Sequence, residues 1–154
     1  MNSAPSISDV VKYWPVQILA LTALTVFLLY RWQGSMGFSL SDEGFLWYGT
    51  QRVLLGEVPI RDFMAYEPGR YYWSSAIMAL LGNNGIMALR VAISIFQAIG
   101  LFVGLLLIAR NLKKWSFFYI LMSAATLTVG MFPRTNILYI SLSFVWFWVV
   151  AFFC

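Results

Sequence analysis

Histidine is absent from this sequence, and its one cysteine is Cys154. Ser-His-Asp and Cys-His catalysis, His-rich or Cys-rich metal sites and an intrachain disulfide are therefore excluded. Chemistry is left to carboxylates, Arg, Lys, Tyr and the backbone. A metal would have to be held by oxygen, which suits Mg or Mn. Charge is scarce too: 10% of residues are charged, against roughly 25% in a soluble domain. With 61% of residues hydrophobic and 18% aromatic, the composition argues against a water-soluble fold. The net charge of +4 does not point to nucleic acid, because the basic residues are scattered beside apolar runs and read as membrane-flanking anchors. The 154 residues allow one domain at most.

What is present is a succession of apolar runs. Val16 to Tyr30, flanked by Tyr13-Trp14 and Arg31-Trp32, reaches the roughly 20 residues that a membrane helix needs. Its aromatic flanks fit interfacial belts. No small-x-small site precedes Arg31-Trp32, so this helix is expected to be retained rather than cleaved as a signal peptide. Ile86 to Ala109, Trp115 to Phe132 and Ile137 to Phe153 are the further candidate spans. The last run stops without a polar flank, so the chain is expected to be part of something longer. Between the first two spans, Leu40 to Leu55 reads as a helix too polar to cross, with Ser39-x-x-Asp42 resembling a capping box and Gly56 as its stop. Pro59, Pro68 and Gly69 interrupt regular structure before Tyr71 to Leu81, an apolar helix too short to span. The expected fold is thus an all-α integral membrane protein with about four spans and two interfacial helices in the first outer loop.

Five of the six acidic residues fall in that loop: Asp42, Glu43, Glu57, Asp62 and Glu67. Charge near a bilayer is costly unless it is paired or functional, so this gathering points to a catalytic face at the membrane surface. The cluster Arg110, Lys113 and Lys114 marks the cytoplasmic side. With the N-terminus also cytoplasmic, residues 32 to 85 lie outside, and Pro133 to Asn136 shares that face with Asp42.

The order of short motifs here resembles the polyprenyl-phosphate-sugar-dependent glycosyltransferases of the GT-C fold, which include protein O-mannosyltransferases and aminoarabinose transferases. The matching stretches are Asp42-Glu43-Gly44, Tyr48-Gly49-Thr50-Gln51-Arg52, Gly56-Glu57-Val58-Pro59-Ile60-Arg61-Asp62-Phe63 and Tyr66-Glu67-Pro68-Gly69-Arg70-Tyr71-Tyr72. Leu81-Gly82 and Leu89-Arg90 also sit where the family has Phe-Gly and Leu-Arg. The chain departs from the family in Glu67-Pro68-Gly69, where members usually carry a Pro pair, and in having no acidic residue from Pro133 to Ser143. The resemblance implies the N-terminal part of a longer enzyme of the bacterial inner (cell) membrane. Such an enzyme moves a sugar from a polyprenyl-phosphate carrier to an acceptor on the outer face. It also implies an active-site role for Asp42 and a metal- or substrate-binding role for Glu67.

Such a transfer needs a carboxylate to take the acceptor proton and positive charge to steady the departing phosphate. Asp42 is the candidate base, with Glu43 as substitute; both also suit the simpler task of capping a helix. Arg52, Arg61, Arg70 and Arg90 lie on the outer side, and a guanidinium fork binds phosphate oxygens in pairs. Arg70 and Arg90 are the best placed; the simpler reading pairs the arginines with Glu57, Asp62 and Glu67 or with lipid headgroups. Asp42 and Glu67 are the candidate ligands for a divalent Mg or Mn. Tyr66, Tyr71, Tyr72 and Trp73 suit either sugar stacking or interface anchoring. The alternative from another class is a non-catalytic membrane subunit whose loop binds a partner or a lipid headgroup.

Overall fold

The computed structural model describes residues 14–35, 37–111 and 117–131. Within them the chain is helical, with no strand and a single isolated bridge between Pro59 and Phe63. The helices are α1 (Trp14–Gly34), α2 (Glu43–Leu54), α3 (Gly69–Leu81), α4 (Ile86–Asn111) and α5 (Phe117–Met131).

Run length and composition account for α1 and α4. Pro15 falls in the first turn of α1, where a missing N–H costs nothing. At 1.5 Å per residue the 21 residues of α1 extend about 31 Å and the 26 of α4 about 39 Å. Both match or exceed the roughly 30 Å of a hydrocarbon core. These two helices are long and apolar enough to cross a membrane. The described part of α5 is 15 residues, about 22 Å, and so shorter than a span. The expected final span, Ile137 to Phe153, lies outside the described residues. So do Lys12, Lys113 and Lys114, on which the orientation rests, and the turn Pro133 to Asn136.

Between the long helices, α2 starts later than Leu40. Gly44 N–H donates to Ser39 O at 3.0 Å, which closes a turn over Leu40 and Ser41 before the helix begins. Asp42 occupies the cap position but makes no side-chain capping bond. The reach back to Ser39 N–H comes instead from Glu43 Oε2, at 3.3 Å. The end of α3 follows the sequence closely. Gly82 takes the left-handed conformation at φ 59°, and Asn83 N–H donates to Met78 O, a Schellman closure. Asn83 Oδ1 then accepts from Gly85 N–H at 2.8 Å, and α4 begins at Ile86.

Two apolar clusters hold these helices together, and α4 belongs to both. Ile18 and Val26 of α1, Leu101 and Leu105 of α4 and Ile120, Ala124 and Leu127 of α5 form one. Leu46 of α2, Tyr71 and Met78 of α3 and Ala88, Leu89 and Ile93 of α4 form the other. The long helix therefore carries a bundle on its C-terminal part and a small helical cap on its first turns.

The surface is unlike that of a protein in water. Buried side chains include Thr22, Arg70, Ser74, Arg90, Ser94 and Gln97, while Leu24, Phe27, Leu28, Leu80, Ile99, Phe118 and Val129 are exposed. Polar residues inside and large apolar residues outside suit a hydrocarbon surrounding.

Candidate functional site

The acidic segment meets the ends of both long helices. Arg90, in the second turn of α4, donates Nε–H to Glu43 Oε1 at 2.8 Å and Nη2–H to Glu43 Oε2 at 2.9 Å. Its Nη1–H goes to Gln33 O at 2.9 Å, and Nη2–H also reaches Gly37 O at 3.3 Å. One guanidinium thus ties the end of α1, the following loop, the start of α2 and the start of α4. Both side chains of the ion pair are buried. Taking two charges out of water is justified only when the geometry is good and the remaining hydrogen-bonding capacity is used, and here both conditions hold. Glu43 and Arg90 are consequently committed to each other.

Asp42 lies next to this clamp and takes no part in it. Asp42 is half-buried at the mouth of α2 and makes no side-chain capping bond. Of the paired acids, the structure leaves Asp42 available and employs Glu43.

Arg70 starts α3 and is only 4% exposed. Its Nη2–H donates to the Tyr71 hydroxyl at 2.8 Å, and its guanidinium stands 4.8 Å from the Tyr71 ring centre and 5.9 Å from that of Phe45. Phe45 lies three residues beyond Asp42, on the neighbouring turn of the same helical face, so Arg70 reaches the side of α2 that Asp42 opens. Tyr71 itself is fully enclosed. Its ring meets Phe63 edge-on at 5.7 Å and lies against Gly49, so neither face is open to a sugar. Tyr66 is exposed, with its ring 6.1 Å from Phe45. Trp73 donates to Ala92 O at 2.8 Å and packs edge-on to Phe96, which anchors α3 to α4.

The other candidates have contacts of their own. Arg52 pairs with Glu57 and stands 5.7 Å from the Tyr48 ring centre. Glu67 is exposed, with a left-handed backbone at φ 48°, and its carbonyl accepts from Arg70 N–H at 3.2 Å. Arg61 grips Asp62 with two hydrogen bonds, of 2.9 and 2.8 Å. That contact, joined by Val58 N–H at 2.8 Å, holds the Asp62 carboxyl down at about 2, and in return it raises the Arg61 guanidinium. Among the described residues no group of three or more His, Cys, Asp or Glu is arranged to hold a metal ion.

Sequence reasoning missed Gln33 and Gly37, whose contribution is a backbone carbonyl and carries no residue signature. Gly49 had a signal: a glycine inside a helix costs about 1 kcal/mol relative to alanine and usually has a packing reason. Comparison with known proteins adds no identification: no family model, curated protein or solved structure matches the chain.

Proposed function

We propose that this chain is an integral membrane protein of four spans, whose outer loop forms part of a glycosyltransferase site using a polyprenyl-phosphate-linked sugar. The observation that carries the reading is the position of Asp42. A carboxylate with no structural partner among the described residues is held beside a buried clamp that joins the ends of both candidate spans. An acid kept at that boundary suits a reaction between a lipid-borne donor and a water-borne acceptor.

In this reading Asp42 accepts the proton of the acceptor hydroxyl or amine. The acceptor atom bonds to the anomeric carbon, the carbon–oxygen bond to phosphate breaks, and polyprenyl phosphate leaves with the electron pair. Arg70, whose guanidinium stands 5.9 Å from the Phe45 ring centre on α2, supplies positive charge toward the leaving phosphate. Tyr66 is an exposed aromatic available to the sugar. Glu43 and Arg90 position Asp42 rather than react. No step is routed through a metal; Asp42 and Glu67 are the residues that would hold a divalent Mg or Mn beside the substrate phosphate.

The test is Asp42→Asn in the full chain, assayed in membranes for release of polyprenyl phosphate from a panel of polyprenyl-phosphate sugars. Loss of release with normal membrane insertion is the expected result. Wild-type release by the variant would remove Asp42 from the chemistry.

A second reading, a non-catalytic membrane subunit, draws on the pairing of Arg52, Arg61 and Arg90 with Glu57, Asp62 and Glu43. Arginines satisfied within the chain stabilise a loop without any substrate. Absence of release by the wild-type full chain across the panel would favour it.

A further inference from the structure

The turn after α2 has a feature that neither the fold nor the proposed chemistry uses. Ile60 has φ at 74°, in the left-handed region that a β-branched residue avoids. The conformation is enforced from several sides. Ile60 N–H donates to Phe63 O at 3.0 Å, Asp62 N–H to Val58 O at 2.9 Å, and the Asp62 carboxylate accepts from Val58 N–H and Arg61. The product of this constraint is an outward side chain: Ile60 is 67% exposed, and Met64 and Leu55 close by are 77% and 78% exposed. In water, a strained backbone that pushes isoleucine into solvent has no return, and glycine would sit there without cost.

The charges of the same stretch are neutralised in place. Arg52 pairs with Glu57 and Arg61 with Asp62, so residues 52 to 64 carry four charged side chains and no net charge. Phe63 of this stretch packs on the cluster that Tyr71 forms with Ala88, Leu89 and Ile93, which sets the turn beside the first turns of α4. Large apolar residues are exposed on α1 and α4 as well. A neutral, aromatic-flanked apolar turn at that level matches the headgroup–acyl boundary of a bilayer.

We propose that the Pro59-Ile60-Arg61-Asp62-Phe63 turn is a membrane-docking wedge, with Leu55, Ile60 and Met64 entering the leaflet at the Asp42 end of α1 and α4. The inference rests on α1 and α4 crossing the bilayer; it does not depend on glycosyl transfer.

The experiment uses the full chain with Cys154→Ser, single cysteines at Ile60→Cys or Met64→Cys, and an environment-sensitive fluorophore. The protein is placed in phosphatidylcholine nanodiscs containing nitroxide-labelled lipid. Met64→Cys keeps the test open if the strained site tolerates substitution poorly. Asn84→Cys, in the exposed turn before α4, is the aqueous reference, and Leu24→Cys, exposed on α1, is the hydrocarbon reference. Lipid nitroxide should quench both loop probes at a depth of roughly 5–10 Å into the boundary, with iodide access well below that at position 84. Iodide quenching equal to that at position 84 would overturn the proposal. Shielding from both quenchers would overturn it in favour of a protein occupant. Failure of lipid to quench the Leu24 position would overturn the span reading and the wedge together, whereas loss of the wedge alone leaves that position quenched.

Discussion

The ring of Tyr71 occupies the space where any residue but glycine at position 49 would place its Cβ. That atom would stand 2.3 Å from Tyr71 Cε1 and 2.6 Å from Cδ1. The close approach lets α3 seat its buried tyrosine directly on the backbone of α2, and with it the Arg70 guanidinium that the Tyr71 hydroxyl holds.

Gly49→Ala is expected to destabilise the cap. Alanine gains up to about 1 kcal/mol of helix propensity, but inserting a methyl into a filled core costs typically 1–3 kcal/mol. A fully buried ring cannot swing aside as the tip of a flexible chain would. The clash therefore wins, and a fall in melting temperature in detergent checks it. A rise would show that α2 and α3 slide apart freely.

Glu43→Gln and Arg90→Leu should each cost about 3–5 kcal/mol, because each leaves one buried charge without its partner. Arg90→Lys should recover little, since an ammonium cannot donate at once to both Glu43 oxygens, Gln33 O and Gly37 O in that planar geometry. Denaturant or thermal unfolding of the three variants measures this. Near-wild-type stability of Arg90→Lys would mean that charge alone, not the fork, makes the junction.

Asp42→Ala, in contrast, should change stability by less than the ~1 kcal/mol typical of losing an N-cap, because the Asp42 side chain makes no capping bond. The same unfolding measurement applies. A loss as large as that at Glu43 would identify Asp42 as a structural residue.

The Asp62-closed turn should loosen in acid. Its carboxyl lies at about 2 in the folded chain against an ordinary 3.8, so the folded state binds its proton later than the unfolded one. The stabilisation is complete above the ordinary value and is lost as the pH falls through about 2. Protection of the Val58 amide against hydrogen exchange, corrected for the intrinsic pH effect, should hold down to about 4 and then decline toward 2. Asp62→Asn should lower it wherever the wild-type carboxyl is ionised, with the difference closing toward a pH of about 2.

Where the chain spoke locally, it was legible. The apolar run that became α1, the Gly82-to-Gly85 break and the onset of α4 at Ile86 follow from run length and from glycine's access to the left-handed region. The start of α2 was not, because Ser39-x-x-Asp42 looks like a capping box whereas the bond back to Ser39 comes from Glu43.

The sequence by itself determined a helical chain with two runs fit to cross a membrane and its acids gathered between them, because hydropathy and length act residue by residue along the chain. Only the tertiary structure decided which acid is employed. Glu43 and Arg90 are 47 residues apart, and nothing near either one announces the other. Adjacent carboxylates look alike on paper; folding buries one against a guanidinium and leaves the other open, since a single Arg90 can satisfy only the carboxylate that faces it.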